Sequence, residues 1–260
     1  MKIGFLGFGN MAQAIAKGLL LKKSIKAEQI YACAKNWDKL CENTKACGFI
    51  PCKDSHELVK NVDLVVIAVK PDLVEEVIEP IKGDLVGKVV ISVVVNYTFY
   101  KYEKILLAST HHIITLPNIP VSVGEGIILY EEKHTLTEEE FKYFNNLFSN
   151  IALVEKVDTK KIGIAGIISG CGPAFASMFI EALSDAAVLH GLPRNLSYKL
   201  ASQMLIGTGT LQAKTQEHPG KMKDNVCSPG GTTIVGVTTL ERKGFRAAVI
   251  DGINEIISQK

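Results

Sequence analysis

The first dozen residues constrain this chain more than any other segment. Ile3-Gly4-Phe5-Leu6 reads as a short buried strand and runs directly into Gly7-Phe8-Gly9-Asn10-Met11-Ala12, a G-x-G-x-x-A sequence opening a helix over Met11 to Leu21. A strand that turns this sharply into a helix needs a first glycine for the turn. The second glycine lets the backbone approach a pyrophosphate, and the small Ala12 lets helix and strand pack closely. Strand, turn and helix together predict a dinucleotide-binding unit and a sheet of parallel strands.

The pattern that follows agrees with such a sheet. Ile30 to Cys33, Leu64 to Val69, Val89 to Val93 and Ile113 to Leu116 read as further strands separated by helical segments. Val65, Val66, Ile67, Ala68 and Val69 are apolar at every position, so that strand is expected at the sheet centre with both faces covered. Pro71 and Pro117 stop their strands at the carboxyl ends, where open α/β sheets hold ligands. After about residue 152 the strand runs give way to long helical segments with few charges. Pro173 is placed to open a helix to His190, with Gly191 as its C-terminal cap and Pro193 opening the next segment. The expected fold class is α/β: a Rossmann-type, doubly wound parallel sheet over residues 1–152, then an all-α C-terminal domain over residues 153–260.

Glu181 and Asp185 are the only formal charges on the first of these long helices, and Lys199 is the only one on Leu196 to Gln212. Helices this apolar are buried on most sides, and a small domain has little interior in which to hide them. A second copy of the chain is therefore expected to cover them, giving a homodimer or larger homo-oligomer through the C-terminal helices.

Composition excludes several other classes. With 47% hydrophobic and 22% charged residues the chain has the makings of a packed core, and its net charge of +2 comes with no Lys/Arg-rich run that could track nucleic acid. The six cysteines never fall at C-x-x-C spacing, which argues against a metal site and for reduced thiols in a cytoplasmic protein. No uninterrupted apolar stretch approaches the ~18 residues of a spanning helix, so no membrane partner is expected.

Two segments carry the chemistry. The second strand ends in Cys33-Ala34-Lys35-Asn36, without the acid that accepts hydrogen bonds from the ribose of NAD. Lys35 can pair with a 2′-phosphate and Asn36 can donate to it, so NADPH is expected over NADH, unless Lys35 is simply a solvated loop lysine. Near the C-terminus, Cys227-Ser228-Pro229-Gly230-Gly231-Thr232-Thr233 precedes an apolar helical run. Two glycines feeding a helix start can aim several N–H groups at one carboxylate or phosphate, although a plain Gly-Gly turn capped by threonine reads the same way.

At this point the chain resembles the pyrroline-5-carboxylate reductase family. Ser169-Gly170-Cys171-Gly172-Pro173-Ala174-Phe175 is similar to its SGSGPAY. His218-Pro219 followed by Ser228-Pro229-Gly230-Gly231-Thr232-Thr233 is similar to its HP…SPGGTT, and Val69-Lys70-Pro71 to its VKP. The resemblance spans essentially the whole chain and implies reduction of 1-pyrroline-5-carboxylate to L-proline. It implies an NADPH pyrophosphate on Leu6, Gly7, Phe8, Gly9, Asn10 and Met11, and the adenosine ribose phosphate near Ala34, Lys35 and Asn36 with Ser55 beside the adenosine. Ala68, Val69, Lys70 and Pro71 would line the nicotinamide, and Asn225 would approach cofactor or substrate. The substrate carboxylate would sit on Ser228, Gly230, Gly231, Thr232 and Thr233, with the Thr233 hydroxyl beside the reacting nitrogen.

The chain departs from the family pattern in places. The family's S-x-A-A-G is Ser92-Val93-Val94-Val95-Asn96 here, with Val95 set to crowd the cofactor wall and Asn96 able to take a positive φ. The arginine before its M-P-N is Ile114, and the methionine is Leu116. Two rival readings are a noncatalytic NADP-binding regulatory paralogue and a β-hydroxyacid dehydrogenase. The latter resemblance would require a lysine followed four residues later by asparagine, whereas Lys160 and Lys161 are followed there by Ile164 and Ala165.

Overall fold

The computed structural model describes Met1–Gln259. Along the chain lie β1 (Ile3–Leu6), α1 (Asn10–Leu21), β2 (Ile30–Cys33), α2 (Trp37–Lys45), β3 (Ile50–Pro51), α3 (Ser55–Asn61), β4 (Leu64–Ile67) and α4 (Val74–Ile78). Next come β5 (Val89–Ser92), α5 (Phe99–Ile105), β6 (His111–Pro117), β7 (Gly126–Glu131), α6 (Glu138–Phe148) and β8 (Ala152–Val157). The chain then continues as α7 (Ile162–Leu189), α8 (Arg194–Thr215), α9 (Pro219–Asn225), α10 (Thr232–Arg242) and α11 (Phe245–Ser258). It forms two compact units, Met1–Gly170 and Cys171–Lys260.

The first unit is a single sheet in the order β3-β2-β1-β4-β5-β6-β7-β8, parallel throughout except for the antiparallel β6–β7 pair. It is wound on both faces. Leu64 and Val66 of β4 join a core with Ile15 of α1, Leu40 of α2 and Phe144 of α6. Val65 and Ile67 point the other way, into a core with Leu58 of α3, Val74 of α4 and Tyr102 of α5. An all-apolar strand is what this central position requires, because neither face of β4 meets water.

Three strands go beyond those read from the sequence: β3, β7 and β8. Strands therefore run on to Val157 instead of ending near residue 152. β8 pairs in parallel with β7 from Gly126↔Ala152 to Glu131↔Val157, and as an edge strand it leaves Leu153 and Glu155 exposed. Its mixed composition fits that place and hides it from a search for apolar runs.

Pro173 does not open a helix. It sits inside α7, which runs unbroken for 28 residues. Proline lacks an N–H, so the carbonyl four residues earlier, that of Ser169, loses its helical partner. The buried Asn118 supplies the replacement: its Nδ2 donates to Ser169 O at 2.9 Å. Its Oδ1 accepts from Ile127 N at 2.8 Å, and its own N–H donates to Ile127 O at 3.1 Å. One side chain thus ties the end of β6 to β7 and satisfies the α7 carbonyl that the proline frees.

α7 is also long and apolar enough, with a mean hydropathy of 1.6 over 18 residues, to cross a membrane by length and composition alone. It holds no uninterrupted apolar run of that length. Glycine and serine interrupt its apolar residues without adding charge, so the average stays high. The helical unit leaves much apolar surface open, with Leu189 81% exposed, Ile206 60% and Leu200 55%.

Candidate cofactor and substrate sites

The strand order reverses direction at β1, with β2 and β3 on one side and β4 on the other. Connections from the two strands diverge there and leave a crevice at their carboxyl ends. The turn after β1 is stitched to both neighbours: Gly7 N donates to Cys33 O at 2.9 Å, and Ala68 N donates to Leu6 O at 2.8 Å. Gly7 has φ +87°, and a Cβ there would lie 2.6 Å from Ala68 O, so only glycine fits. Gly9 is the N-cap of α1, with φ −78°, no side-chain cap and no acid in the first turn. A Cβ on Gly9 would meet nothing within 4 Å. The first turn of α1 therefore offers backbone N–H groups to open space beside a helix dipole, which suits a pyrophosphate. Gln13 holds the loop by donating its side-chain amide to Phe8 O at 3.1 Å, while Asn10 is exposed and Met11 half-buried.

Beyond β2, Ala34 is half-buried and Lys35 and Asn36 are exposed. Asn36 caps α2 by accepting from Lys39 N at 3.0 Å on Oδ1, which leaves its Nδ2 as the free donor. Ser55 begins α3, behind Asp54, whose carboxylate accepts from Glu57 N at 2.8 Å. Burial, and then Asp54 and Glu57, push the Cys33 thiol above its ordinary pKa; Cys52 beside it is pushed up to about 12 by burial first. These thiols stay protonated and act as small hydrophobic groups. All six cysteines are unpaired, and among the described residues no group of three or more His, Cys, Asp or Glu side chains is arranged for a metal.

Ala68 and Val69 follow β4, packed against the Gly7 turn, and Lys70 and Pro71 continue into solvent at the start of a 3₁₀ turn. The neighbouring Ser92–Asn96 segment is fixed from below. Ser92 Oγ accepts from Tyr102 Oη at 2.9 Å and from Val94 N at 3.2 Å, while Ser92 O accepts from Thr115 Oγ1 at 2.8 Å. Asn96 takes φ +62°, the backbone that the family's glycine would supply. Val95 is 56% exposed, and Ile114 packs into the core beside α5. The Tyr102 and Thr115 supports carry no sequence motif that would mark them in advance.

The glycine pair behaves differently at the other end of the chain. Gly230 has φ +70°, and the Gly231 N–H closes the turn on Ser228 O at 3.0 Å, so Gly231 is not a free donor. Gly231, not a threonine, is the N-cap of α10, and it makes no side-chain cap. Thr232 and Thr233 occupy the first two helical positions, where N–H groups lack intrahelical partners. With the exposed hydroxyls of Ser228, Thr232 and Thr233, these groups form a compact donor set for a small anion. Asn225 ends α9, its Nδ2 3.4 Å from both carboxylate oxygens of Glu217, and lines an open cavity of about 750 Å³ with Thr208, Glu217, Met222 and Lys223.

Residues 159–260 match the family model for pyrroline-5-carboxylate reductase dimerisation, and residues 2–96 match that for NADP oxidoreductase, coenzyme F420-dependent. The chain is 42% identical over 262 residues to pyrroline-5-carboxylate reductase from Treponema pallidum, with 99% of each chain covered. It is 35% identical to the Escherichia coli reductase, covering 99% of this chain and 96% of the relative. Among solved structures it is similar to Plasmodium falciparum pyrroline carboxylate reductase with NADP bound. That match has a TM-score of 0.88 at 32% identity and covers 100% of this chain and 96% of the other.

Proposed function

The chain belongs to the pyrroline-5-carboxylate reductase family, and from that membership we propose how its residues divide the work. It is an NADP-dependent oxidoreductase that reduces 1-pyrroline-5-carboxylate to L-proline. The observation that carries this reading is a whole-length match to reductases of this name in a chain whose α10 start leaves its N–H groups uncapped.

NADPH, when bound, supplies the hydride that reduces the ring C=N at C5. The turn from Leu6 through Gly7, Phe8 and Gly9 to Asn10 and Met11 holds the pyrophosphate on the N-terminus of α1. Lys35 pairs with the 2′-phosphate and the free Nδ2 of Asn36 donates to it, so NADH binds more weakly; Ala34 and Ser55 flank the adenosine. Ala68, Val69, Lys70 and Pro71 line the nicotinamide, and Asn225 is assigned a polar contact with cofactor or substrate.

On the substrate, Gly230 and Gly231 shape the turn, and Ser228, Thr232 and Thr233 bind the carboxylate. The Thr233 hydroxyl hydrogen-bonds the ring nitrogen as hydride addition at C5 turns the already protonated imine into the amine, accepting from the iminium N–H and donating to the nitrogen lone pair that forms. A neutral donor suits this step, because an Arg or Lys would oppose the iminium that accepts hydride best.

The enzyme is a homo-oligomer. We assign the exposed apolar faces of the C-terminal helices to the contact between copies, as a dimer or larger assembly. A second subunit rather than lipid then covers α7, and residues 159–260 match a dimerisation model. We place the enzyme in the cytoplasm, in keeping with six free thiols.

Steady-state NADPH oxidation with pyrroline-5-carboxylate, run beside larger cyclic imines, tests the reading. Turnover on the five-membered ring is expected. Tight NADPH binding with no turnover on any imine would favour the noncatalytic regulator.

A further inference from the structure

Lys35 supplies a point charge beside the place assigned to the 2′-phosphate, and an ammonium has no flat surface to lay on a base. The adenine ring therefore lacks a planar partner in Ala34-Lys35-Asn36. The next residue is Trp37, the only tryptophan of the chain. It is the first residue of α2, which starts at the carboxyl end of β2, the ligand end of the sheet.

Trp37, Leu40, Cys41 and Thr44 follow the i, i+3, i+4, i+7 spacing of one helix stripe. Leu40 and Thr44 on that stripe are buried, so Trp37 is on the sheet-facing side of α2. Ala34 and Phe8, from the two cofactor loops, pack into the same core as Leu40. Yet Trp37 remains 40% exposed, because its turn stands beyond the last strand residue. A large apolar ring kept half in water at a ligand edge has its own surface to cover on binding. The aromatic pairs of the described residues join phenylalanine, tyrosine and histidine rings and leave the indole without a partner.

We propose that Trp37 is a further cofactor-contact residue whose indole stacks on the adenine ring of the bound dinucleotide. The proposal rests on the cofactor reading above and adds to it an element of affinity independent of the 2′-phosphate. Lys35 then discriminates NADPH from NADH, while Trp37 strengthens both alike.

Adenosine 2′,5′-bisphosphate is the probe, since it carries adenine and the 2′-phosphate and lacks the nicotinamide. Titrated into the full-length protein, it should quench the single tryptophan emission with the dissociation constant that calorimetry gives. Trp37→Ala should raise the Kd of the bisphosphate, NADPH and NADH together by about fivefold to 150-fold, the span of base–aromatic stacking. Trp37→Phe should recover much of that loss, and Lys35→Ala should weaken only the two ligands that carry the 2′-phosphate. Bisphosphate that binds by calorimetry without changing the emission would overturn the proposal. So would a Trp37→Ala protein that melts earlier yet binds all three ligands normally. If Trp37→Ala does not fold, the wild-type quench and the Phe variant decide. Failure of the bisphosphate to bind the wild type at all would instead strike the cofactor reading itself, and the proposal with it.

Discussion

The two glycines of the N-terminal turn separate folding from cofactor binding, and alanine at each should have opposite signatures. At Gly7 a Cβ would lie 2.6 Å from Ala68 O, 2.9 Å from Ala68 C and 2.9 Å from a Val69 methyl, at φ +87°. That carbonyl cannot retreat freely, because the adjoining Ala68 N–H is bonded to Leu6 O. Left-handed backbone costs a non-glycine residue about 1–2 kcal/mol, and the contact adds strain of about 1–3 kcal/mol. Gly7→Ala should therefore lower stability by about 2–5 kcal/mol. At Gly9 the backbone already has φ −78° and the new methyl would meet nothing within 4 Å, so Gly9→Ala should fold with near-normal stability. The methyl would stand where the pyrophosphate has to approach the N–H groups of α1. Losing one charge-assisted hydrogen bond there costs about 1.5–3 kcal/mol, or roughly a ten- to 150-fold rise in the Kd of NADPH. Thermal melting and NADPH titration on both variants give the comparison. A Gly9→Ala protein with wild-type NADPH affinity, or one that melts as early as Gly7→Ala, would refute the reasoning.

Thr233→Val keeps β-branching and removes the hydroxyl; because Gly231 holds the N-cap, stability should change by less than about 1 kcal/mol while kcat falls about 10²-fold. Steady-state kinetics showing less than about a tenfold loss would remove Thr233 from the chemistry. Ile206→Glu, at a residue 60% exposed on α8, should give dissociated or aggregated protein if that face meets another copy, read by light scattering against a wild type expected to stay associated at micromolar concentration. His112 is 1% exposed and stacked on Phe99 with ring centroids 4.7 Å apart; burial holds its pKa below the usual value despite Glu103 nearby. Its imidazole is neutral when folded and takes a proton on unfolding, so stability is full above about pH 6.5 and falls as pH drops toward the folded value. The melting temperature should decline from pH 7 to 5, less steeply in His112→Phe, with His134 shifted the same way and the Glu131 carboxyl, raised by burial, acting against both; an unchanged slope on replacing His112 would exclude it.

What could be read from the sequence divides along local and non-local lines. β1, β2 and β4 are uniform apolar runs between turn residues, so their buried positions in the sheet are written in their own composition. β8 is written nowhere in itself: Ala152–Val157 includes Glu155 and Lys156, and becomes a strand because β7 offers it a parallel edge. The phosphate turn was legible because its glycines answer a backbone geometry that only glycine satisfies. At Gly230 and Gly231 the same residue type left two readings open, a donor turn and a threonine-capped turn, and the extended backbone of Gly231 takes the cap, a position that glycine and threonine fill about equally well. Pro173 is the sharpest case. Its local preference is for a first turn, which holds where no earlier carbonyl depends on its missing N–H. Here Ser169 O does depend on it, and the substitute donor, Asn118 Nδ2, lies 51 residues away in sequence. A proline inside a helix is tolerated when the tertiary structure satisfies the carbonyl it orphans, so the sequence signal for α7 is divided between Pro173 and an asparagine at the end of β6. Neither residue carries that information alone, and reading a helix through its proline requires finding the distant donor first.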